Sequence, residues 1–167
     1  MSVEIVPATA DDVPALAAHL TDVAIWKFAQ EGYANWPIPF PEAMVSRMAT
    51  QETLYLARLD GSLAASLVLQ WDDPHIWGEQ PPVAGYIHKF AVHPDFKGRS
   101  LGSTLLAWTD VQIADRGRQL LRLDCAYGNA KLRQYYERQG FRNVGRITLG
   151  PDFGDDAAKY ERTVQHN

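Results

Sequence analysis

Hydrophobic and polar positions repeat with two different periods along this chain, and the order of those periods predicts a mixed fold. Short apolar or alternating runs, which are typical of strands, occur at residues 3–6, 54–59, 63–71, 83–92, 120–125, 141–149 and 157–164. Longer stretches with helical spacing occur at residues 13–29, 42–48, 103–116 and 130–139. The predicted order of elements is therefore β, α, α, β, β, β, α, β, α, β, β.

Short polar segments mark several boundaries of these elements. Thr9 followed by Asp12 matches a capping box, so the first helix is predicted to begin there. The prolines within residues 36–41 must interrupt helical structure, because proline lacks the backbone donor that a helix needs. Asp60-Gly61 lies between two strand patterns and predicts a tight hairpin turn.

The length and composition fit one α/β domain built on one central sheet. The chain has 167 residues, of which 46% are hydrophobic and 22% charged, so a core can form without covalent staples. Cys125 is the only cysteine, which favours a reducing cytoplasm. We expect no secretory signal, since no basic stretch precedes an apolar run near Met1, and no membrane association, since no apolar run approaches about eighteen residues.

Charge and residue spacing argue against two further classes of function. The formal net charge of −4 disfavours nucleic-acid binding, which depends on a basic surface. The five histidines show no metal-ligand spacing, so no metal is expected. Cys125 is interpreted as a small core residue rather than a nucleophile, because no histidine and acid can be assigned to it from spacing.

The segment from Phe90 to Leu106 carries the most chemical information. It reads FAVHPDFKGRSLGSTLL, a strand that enters a turn of small residues and then a helix. Backbone N–H groups at such a helix start are unsatisfied and attract anions, and Lys97 and Arg99 add positive charge. A pyrophosphate fits this arrangement, although two glycines can also serve a plain connecting turn. The dinucleotide fingerprint and the Walker sequence are both excluded by context.

Two motifs in this half of the chain resemble a known family. Lys97, Ser100 and Gly102 fall on the Gln/Arg-x-x-Gly-x-Gly/Ala acetyl-CoA motif of GNAT acyltransferases, with lysine and serine as departures from the pattern. The later segment from Asn129 to Phe141 is similar to the second motif of that family, in which a tyrosine follows an asparagine by seven positions and Gly-Phe closes the helix.

The resemblance implies a single GNAT domain over residues 1–167, with an acceptor side at about 1–82 and an acyl-CoA-binding core at about 83–164. In that fold a mixed central sheet is flanked by helices, and two splayed strands form a V-shaped cleft for coenzyme A. The implied cofactor contacts are Phe90, Ala91, Val92, Lys97, Gly98, Arg99, Ser100, Leu101, Gly102, Ser103, Asn129 and Tyr136. The implied cosubstrate is acetyl-CoA, and a homodimer is compatible with the family.

The resemblance also implies a reaction, the acetylation of an amine by direct attack in a ternary complex. Tyr136 is the candidate general acid, because a phenol can stabilise or protonate the departing thiolate. His88 is the first choice as general base, since alternation places it on the face of Phe90 and Val92 and histidine titrates near neutral pH. Asp124, Glu79 and a water chain are the alternatives, as is a reaction without a dedicated base.

The acceptor is a small-molecule or peptide amine that the sequence does not identify. Trp36, Trp77 and Asp124 are candidate substrate contacts, because aromatic and acidic side chains suit a cationic amine. The two tryptophans have a second interpretation, as residues that cover the sheet. Two other functions stay open: a catalytically silent GNAT-fold module that senses coenzyme A, and a plain phosphate- or nucleotide-binding α/β protein.

Overall fold

The computed structural model describes residues 2–32, 36–51, 53–150 and 156–166. Among these residues, seven strands form one mixed sheet in the order β1-β2-β3-β4-β5-β7-β6. The strands are β1 Val3–Pro7, β2 Leu54–Leu59, β3 Ser62–Gln70, β4 Ala84–Val92, β5 Leu120–Ala126, β6 Arg142–Ile147 and β7 Ala157–Thr163. Strand β4 runs parallel to β5, whereas the pairs β1–β2, β2–β3, β5–β7 and β6–β7 are antiparallel.

Helices flank this sheet and follow the predicted order. They are α1 Val13–Glu31, α2 Glu42–Thr50, α3 Pro74–Trp77, α4 Leu101–Asp115 and α5 Ala130–Arg138. The four-residue α3 lies in a segment predicted to be a loop, and α4 begins two residues earlier than predicted. In the part of the chain that the structure describes, no helix is both long enough and apolar enough to span a membrane.

Local sequence signals set the helix starts and the hairpin. The Asp12 carboxylate accepts hydrogen bonds from the backbone N–H and the hydroxyl of Thr9 at 2.8 and 3.0 Å, which confirms the predicted capping pair before α1. Asp60 and Gly61 have φ angles of 50° and 87°, the left-handed values that a two-residue β2–β3 turn requires. Both features could be predicted from the sequence because each depends only on neighbouring residues.

The chain divides into two compact units, each with its own packing. The first comprises Met1–Leu69 and Lys89–Gly102, so it contains β1 to β3, α1, α2 and the second part of β4. Its core joins one face of α1 to α2 and the sheet, and its fully buried members include Leu16, Leu20, Val45, Leu54 and Leu56. Burying side chains of this kind contributes roughly 1.5–3 kcal/mol each.

The second unit comprises Gln70–His88 and Ser103–Asn167. Strand β5 is central to it, because β5 pairs along its whole length with β7. Tyr160 on β7 is fully buried, and Cys125 on β5 is buried as predicted. A smaller apolar cluster joins Trp77 of α3 to Tyr86 of β4.

Candidate active site

Strands β4 and β5 pair over a short distance only. Their register consists of Ala84 with Leu120, Gly85 with Leu121, and Tyr86 with Arg122. Beyond Arg122, β5 continues to Ala126 in register with β7. We call the end of the β4–β5 register, after Tyr86 and Arg122, the fork; His88 and Asp124 lie two residues beyond it on their strands.

The imidazole of His88 lies between two carboxylates at the fork. Its Nε2 is 2.9 Å from Asp73 Oδ2, and its Nδ1 is 3.7 Å from Asp124 Oδ1. The side chains of Asp73, Asp124 and His88 are 9%, 18% and 27% exposed, so the histidine is the most accessible of the three. A partly exposed imidazole held beside carboxylates has the groups that proton transfer requires.

Tyr136 is buried in the same unit. It is on α5, is 5% exposed, and packs its ring against Tyr135 and Phe141 with centroid distances of 5.4 and 5.6 Å. Burial raises the pKa of Tyr136, and the nearby Cys125, Tyr135 and Asp124 act in the same direction. The phenol therefore keeps its proton at neutral pH, which is the state that a hydrogen-bond donor needs.

The fork also brings together groups that can bind a divalent cation. Asp73, His88 and Asp124 each offer one ligand atom, and these atoms lie within 4.8 Å of one another. The expectation of no metal was based on histidine spacing, which says nothing about carboxylates contributed by other elements. That expectation stays a prediction.

The turn before α4 has a left-handed backbone at two positions. Gly98 has φ of 79° and Ser100 has φ of 58°. A non-glycine residue is destabilised by roughly 1–2 kcal/mol in this conformation. The backbone angle therefore explains why the GNAT motif has a glycine at the position of Ser100. Helix α4 starts at Leu101, so Leu101, Gly102 and Ser103 form its first turn and carry N–H groups that lack helical partners.

The two basic residues of this turn have aromatic neighbours. Lys97 Nζ lies 4.1 Å from the ring centre of Trp26 on α1, and its backbone N–H donates to Pro94 O at 3.2 Å. Burial lowers the pKa of Lys97, and Glu31 opposes this shift. The Arg99 guanidinium lies 5.7 Å from the Phe96 ring. The Lys97 side chain is thus positioned by Trp26 of α1, and its backbone N–H already has Pro94 O as its acceptor.

His93 fixes the beginning of the same turn. Its Nδ1 accepts a hydrogen bond from the Asp95 N–H at 3.2 Å, and its Nε2 lies 3.0 Å from Asp22 Oδ2 on α1. His93 therefore has a structural role in this turn. Next to it, His19 is buried, contacts Ser66 Oγ at 3.1 Å and stacks on His93.

The second part of β4 departs from regular alternation. Lys89 has φ of 49°, a value that interrupts the pleat of a strand. We predicted His88 on the face of Phe90 and Val92 from unbroken alternation. Because Lys89 has this angle and lies between them, alternation alone does not establish a shared face, which stays a prediction. Ala91 packs into the core of the first unit, while Val92 packs with Leu101 and its neighbours.

Asn129 and Ser103 each make a defined contact in the second unit. The Asn129 side chain accepts a hydrogen bond from the Leu132 N–H at 3.1 Å, so Asn129 is the N-cap of α5. Gln139 Nε2 donates to Ser103 Oγ at 3.4 Å. Neither contact tests the predicted role in binding coenzyme A.

The two candidate substrate tryptophans are buried, and cations of the chain lie near their rings. Trp36 is 8% exposed, with Lys27 Nζ at 4.2 Å from its ring centre. Trp77 is also 8% exposed, with Arg122 and Lys159 at 4.8 and 5.2 Å. Their role as substrate contacts stays a prediction.

Sequence reasoning missed Asp73 as part of the site. It follows β3 and precedes Pro74, and it occupies the N-cap position of α3. The Asp-Pro pair signals a turn or helix start, which would have located α3, but nothing local indicates that the carboxylate reaches β4. Glu79, an alternative base, is exposed.

Known proteins are similar to this chain in sequence and in fold. YesJ, an uncharacterised N-acetyltransferase of Bacillus subtilis (strain 168), is 30% identical over 103 residues, which cover 58% of this chain and 57% of that protein. S-(2-succino)cysteine N-acetyltransferase of the same organism is 29% identical over 111 residues, 64% of this chain and 65% of that protein. Both matches span less than two thirds of the relative's length.

The fold has solved counterparts. The PaiA N-acetyltransferase from Thermoplasma acidophilum, solved in complex with coenzyme A, has a TM-score of 0.73 at 15% identity, covering 98% of this chain and 99% of that one. At this identity the likeness concerns the fold alone. The model of the acetyltransferase (GNAT) family matches residues 22–141, well over half of the chain. The chain belongs to the GNAT acetyltransferase family.

Proposed function

We propose that this chain is an N-acetyltransferase, which transfers the acetyl group of acetyl-CoA to an amine by direct attack in a ternary complex. Family membership supports acetyl transfer, and the related PaiA structure with coenzyme A supports the choice of cosubstrate. The observation that carries the proposal is the group at the fork, where His88 lies between Asp73 and Asp124. The phenol of Tyr136 is buried nearby, and Asp124 is one of the groups that raise its pKa.

Coenzyme A is proposed to bind through backbone groups more than through side-chain charge. Gly98 and Ser100 have left-handed φ angles, and the first turn of α4 that follows offers N–H groups to a pyrophosphate. Lys97 and Arg99 then supply positive charge without direct coordination. Backbone groups of Phe90 and Val92 are proposed to pair with the pantetheine arm, as an added strand would.

The chemistry divides between a base and an acid. His88 takes a proton from the acceptor ammonium, and the neutral amine attacks the thioester carbonyl. A C–N bond forms, and the C–S bond breaks with its electron pair on sulfur. Tyr136 donates a hydrogen bond, and then its proton, to the thiolate. The second proton of the amine nitrogen returns to the phenol, so one proton per turnover remains on His88 and passes to solvent.

Free-thiol release from acetyl-CoA, measured over a panel of amines, tests this function. The panel contains polyamines, amino acids including S-(2-succino)cysteine, aminoglycosides, and peptides with a free N-terminus or lysine. Tyr136→Phe should lower kcat by about a hundredfold or more while leaving the affinity for coenzyme A nearly unchanged. Tyr135→Phe is the matched control, because it removes a phenol from the adjacent position and should change kcat little.

Calorimetry separates the competing functions. We expect acetyl-CoA and coenzyme A to bind and ATP not to bind. Preference for ATP would contradict both the enzyme and the silent sensor. Binding of coenzyme A without acetyl transfer to any amine of the panel would favour the sensor.

A further inference from the structure

We infer that two residues of α1 position the turn at which coenzyme A is proposed to bind, residues 93–100, which we call the cofactor turn. Asp22 acts through His93, and Trp26 acts through Lys97. The inference rests on the proposed binding of coenzyme A and extends it, because α1 lies outside both sequence motifs of the cofactor site. Asp22 and Trp26 are positioning residues, which act without touching the cofactor.

The side chains of α1 that contact the cofactor turn share one face of the helix. His19, Asp22 and Trp26 follow one another at intervals of three and four positions, the spacing that places side chains next to each other on a helix. Their partners His93 and Lys97 are four positions apart in the turn. Helix α1 therefore contacts the turn at two points, one at its start and one near its middle.

The imidazole of His93 makes the first of these contacts, and one tautomer satisfies both of its nitrogens. Nε2 lies 3.0 Å from Asp22 Oδ2, and an ionised carboxylate only accepts, so Nε2 carries the hydrogen. Nδ1 then has a lone pair, which accepts from the Asp95 N–H at 3.2 Å. The ring also stacks on His19, and the His93 backbone N–H donates to Ala64 O at 2.9 Å. The imidazole thus connects α1 to the start of the turn in a defined orientation.

The second contact holds the chain just before its left-handed residues. Lys97 Nζ is 4.1 Å from the ring centre of Trp26, within the range of a cation–π interaction. Gly98 and Ser100 follow with φ of 79° and 58°. A left-handed angle at a residue such as serine persists only where surrounding contacts hold it. A turn that is already held binds its ligand more tightly, because less conformational entropy is lost on binding.

Calorimetry with coenzyme A tests the role of Asp22. Asp22→Ala should raise Kd about threefold to tenfold, which corresponds to the loss of one hydrogen bond. His93→Asn should do the same, because asparagine still caps the Asp95 N–H but is too short to reach α1. The double variant should bind no more weakly than either single variant, because both changes remove the same contact. Asp11→Ala is the matched control at another exposed aspartate, and its Kd should equal that of the wild type.

Replacement of Trp26 tests the second contact. Trp26→Leu removes the ring below Lys97 and should raise Kd for coenzyme A by about threefold to tenfold. Trp26→Phe keeps an aromatic ring and should recover part of that affinity. Phe28→Leu is the matched control, because Phe28 is an aromatic residue of the same helix and is 56% exposed; its Kd should not change.

The steady-state constants and the calorimetric stoichiometry separate positioning from other effects. Each weakened variant should raise KM for acetyl-CoA while kcat stays within about twofold of the wild type. A folding defect would lower the number of sites per chain rather than the affinity of those that remain.

Three outcomes would overturn the inference while acetyl transfer stands: wild-type Kd in Asp22→Ala and Trp26→Leu, a further loss of affinity in the double variant, or a fall in kcat at unchanged KM. A wild-type protein that does not bind coenzyme A would instead overturn the proposed function.

Discussion

The guanidinium of Arg122 donates a 2.9 Å hydrogen bond to the hydroxyl of Tyr86, and the same two residues form the last register pair between β4 and β5. Arg122 also donates to Glu161 Oε2 at 2.7 Å, with both side chains about 90% buried. The fork, and hence the positions of His88 and Asp124 just beyond it, is therefore fixed by a buried ionic contact.

Replacing Arg122 should cost far more stability than replacing the other arginine that contacts the same carboxylate. Arg122→Gln leaves Glu161 buried without its main partner and should lower the free energy of unfolding by about 3 kcal/mol. Arg142 contacts Glu161 at 3.3 Å but is 77% exposed, so Arg142→Gln should cost less than about 1 kcal/mol. Urea denaturation of both variants measures the difference, and equal losses would contradict this account of the fork.

Buried His19 should make the protein sensitive to mild acid. Burial, with a smaller contribution from His93, lowers the pKa of His19 to about 4, whereas the unfolded chain takes up this proton near pH 6.5. Unfolding therefore binds a proton between these values, so stability falls as pH falls from about 6.5 to 4, by up to about 3 kcal/mol. His19→Gln should flatten that part of the stability curve, measured by denaturation at pH 7 and 4.5. The exposed His75→Gln should leave it as steep as in the wild type.

Tyr136 should have the opposite effect at alkaline pH. Burial raises its pKa, so the folded protein keeps a phenol proton that the unfolded chain loses near pH 10. The contribution is complete below that pH and declines above it, by about 1.4 kcal/mol per pH unit. Thermal unfolding from pH 9 to 11.5 should show a shallower decline for Tyr136→Phe than for the wild type. Tyr55→Phe, the same change in the first unit, checks for a general effect of losing a phenol.

Ser100→Gly should stabilise the protein and preserve coenzyme A binding. Ser100 has φ of 58°, which glycine adopts without the side-chain clash, and the gain of roughly 1–2 kcal/mol is partly offset by the entropy of glycine in the unfolded chain. We expect a net gain of up to about 1 kcal/mol. Ser46→Gly, at an exposed position inside α2, should instead destabilise by about 0.5–1 kcal/mol. A Ser100→Gly variant less stable than the wild type would show that the side chain has a role that the backbone angle does not explain.

The features predicted from sequence are those that neighbouring residues determine. The capping pair of Thr9 and Asp12 and the Asp60-Gly61 turn each involve groups a few residues apart, so their residue types suffice. The element order followed from periodicity, which reports the buried face of each helix and strand.

The features that sequence did not predict depend on contacts between distant segments. Asp73 reaches His88 because α3 follows β3 and directs the carboxylate to β4, fifteen positions further along the chain. Lys97 Nζ lies over the ring of Trp26 on α1, a contact between distant segments that the turn sequence does not indicate. The left-handed Lys89 breaks the alternation of β4, and a lysine gives no signal for that conformation, unlike a glycine.

The burial of Cys125 makes a thiol reagent useful in two measurements, one of released coenzyme A and one of unfolding. The chain has one cysteine, it lies opposite Ala158 in the β5–β7 pair, and it is 7% exposed. A colorimetric thiol reagent added to the native protein should therefore detect released coenzyme A with little background from Cys125. Under denaturing conditions the same reagent should measure the rate of unfolding, because each molecule exposes one thiol when β5 separates from β7.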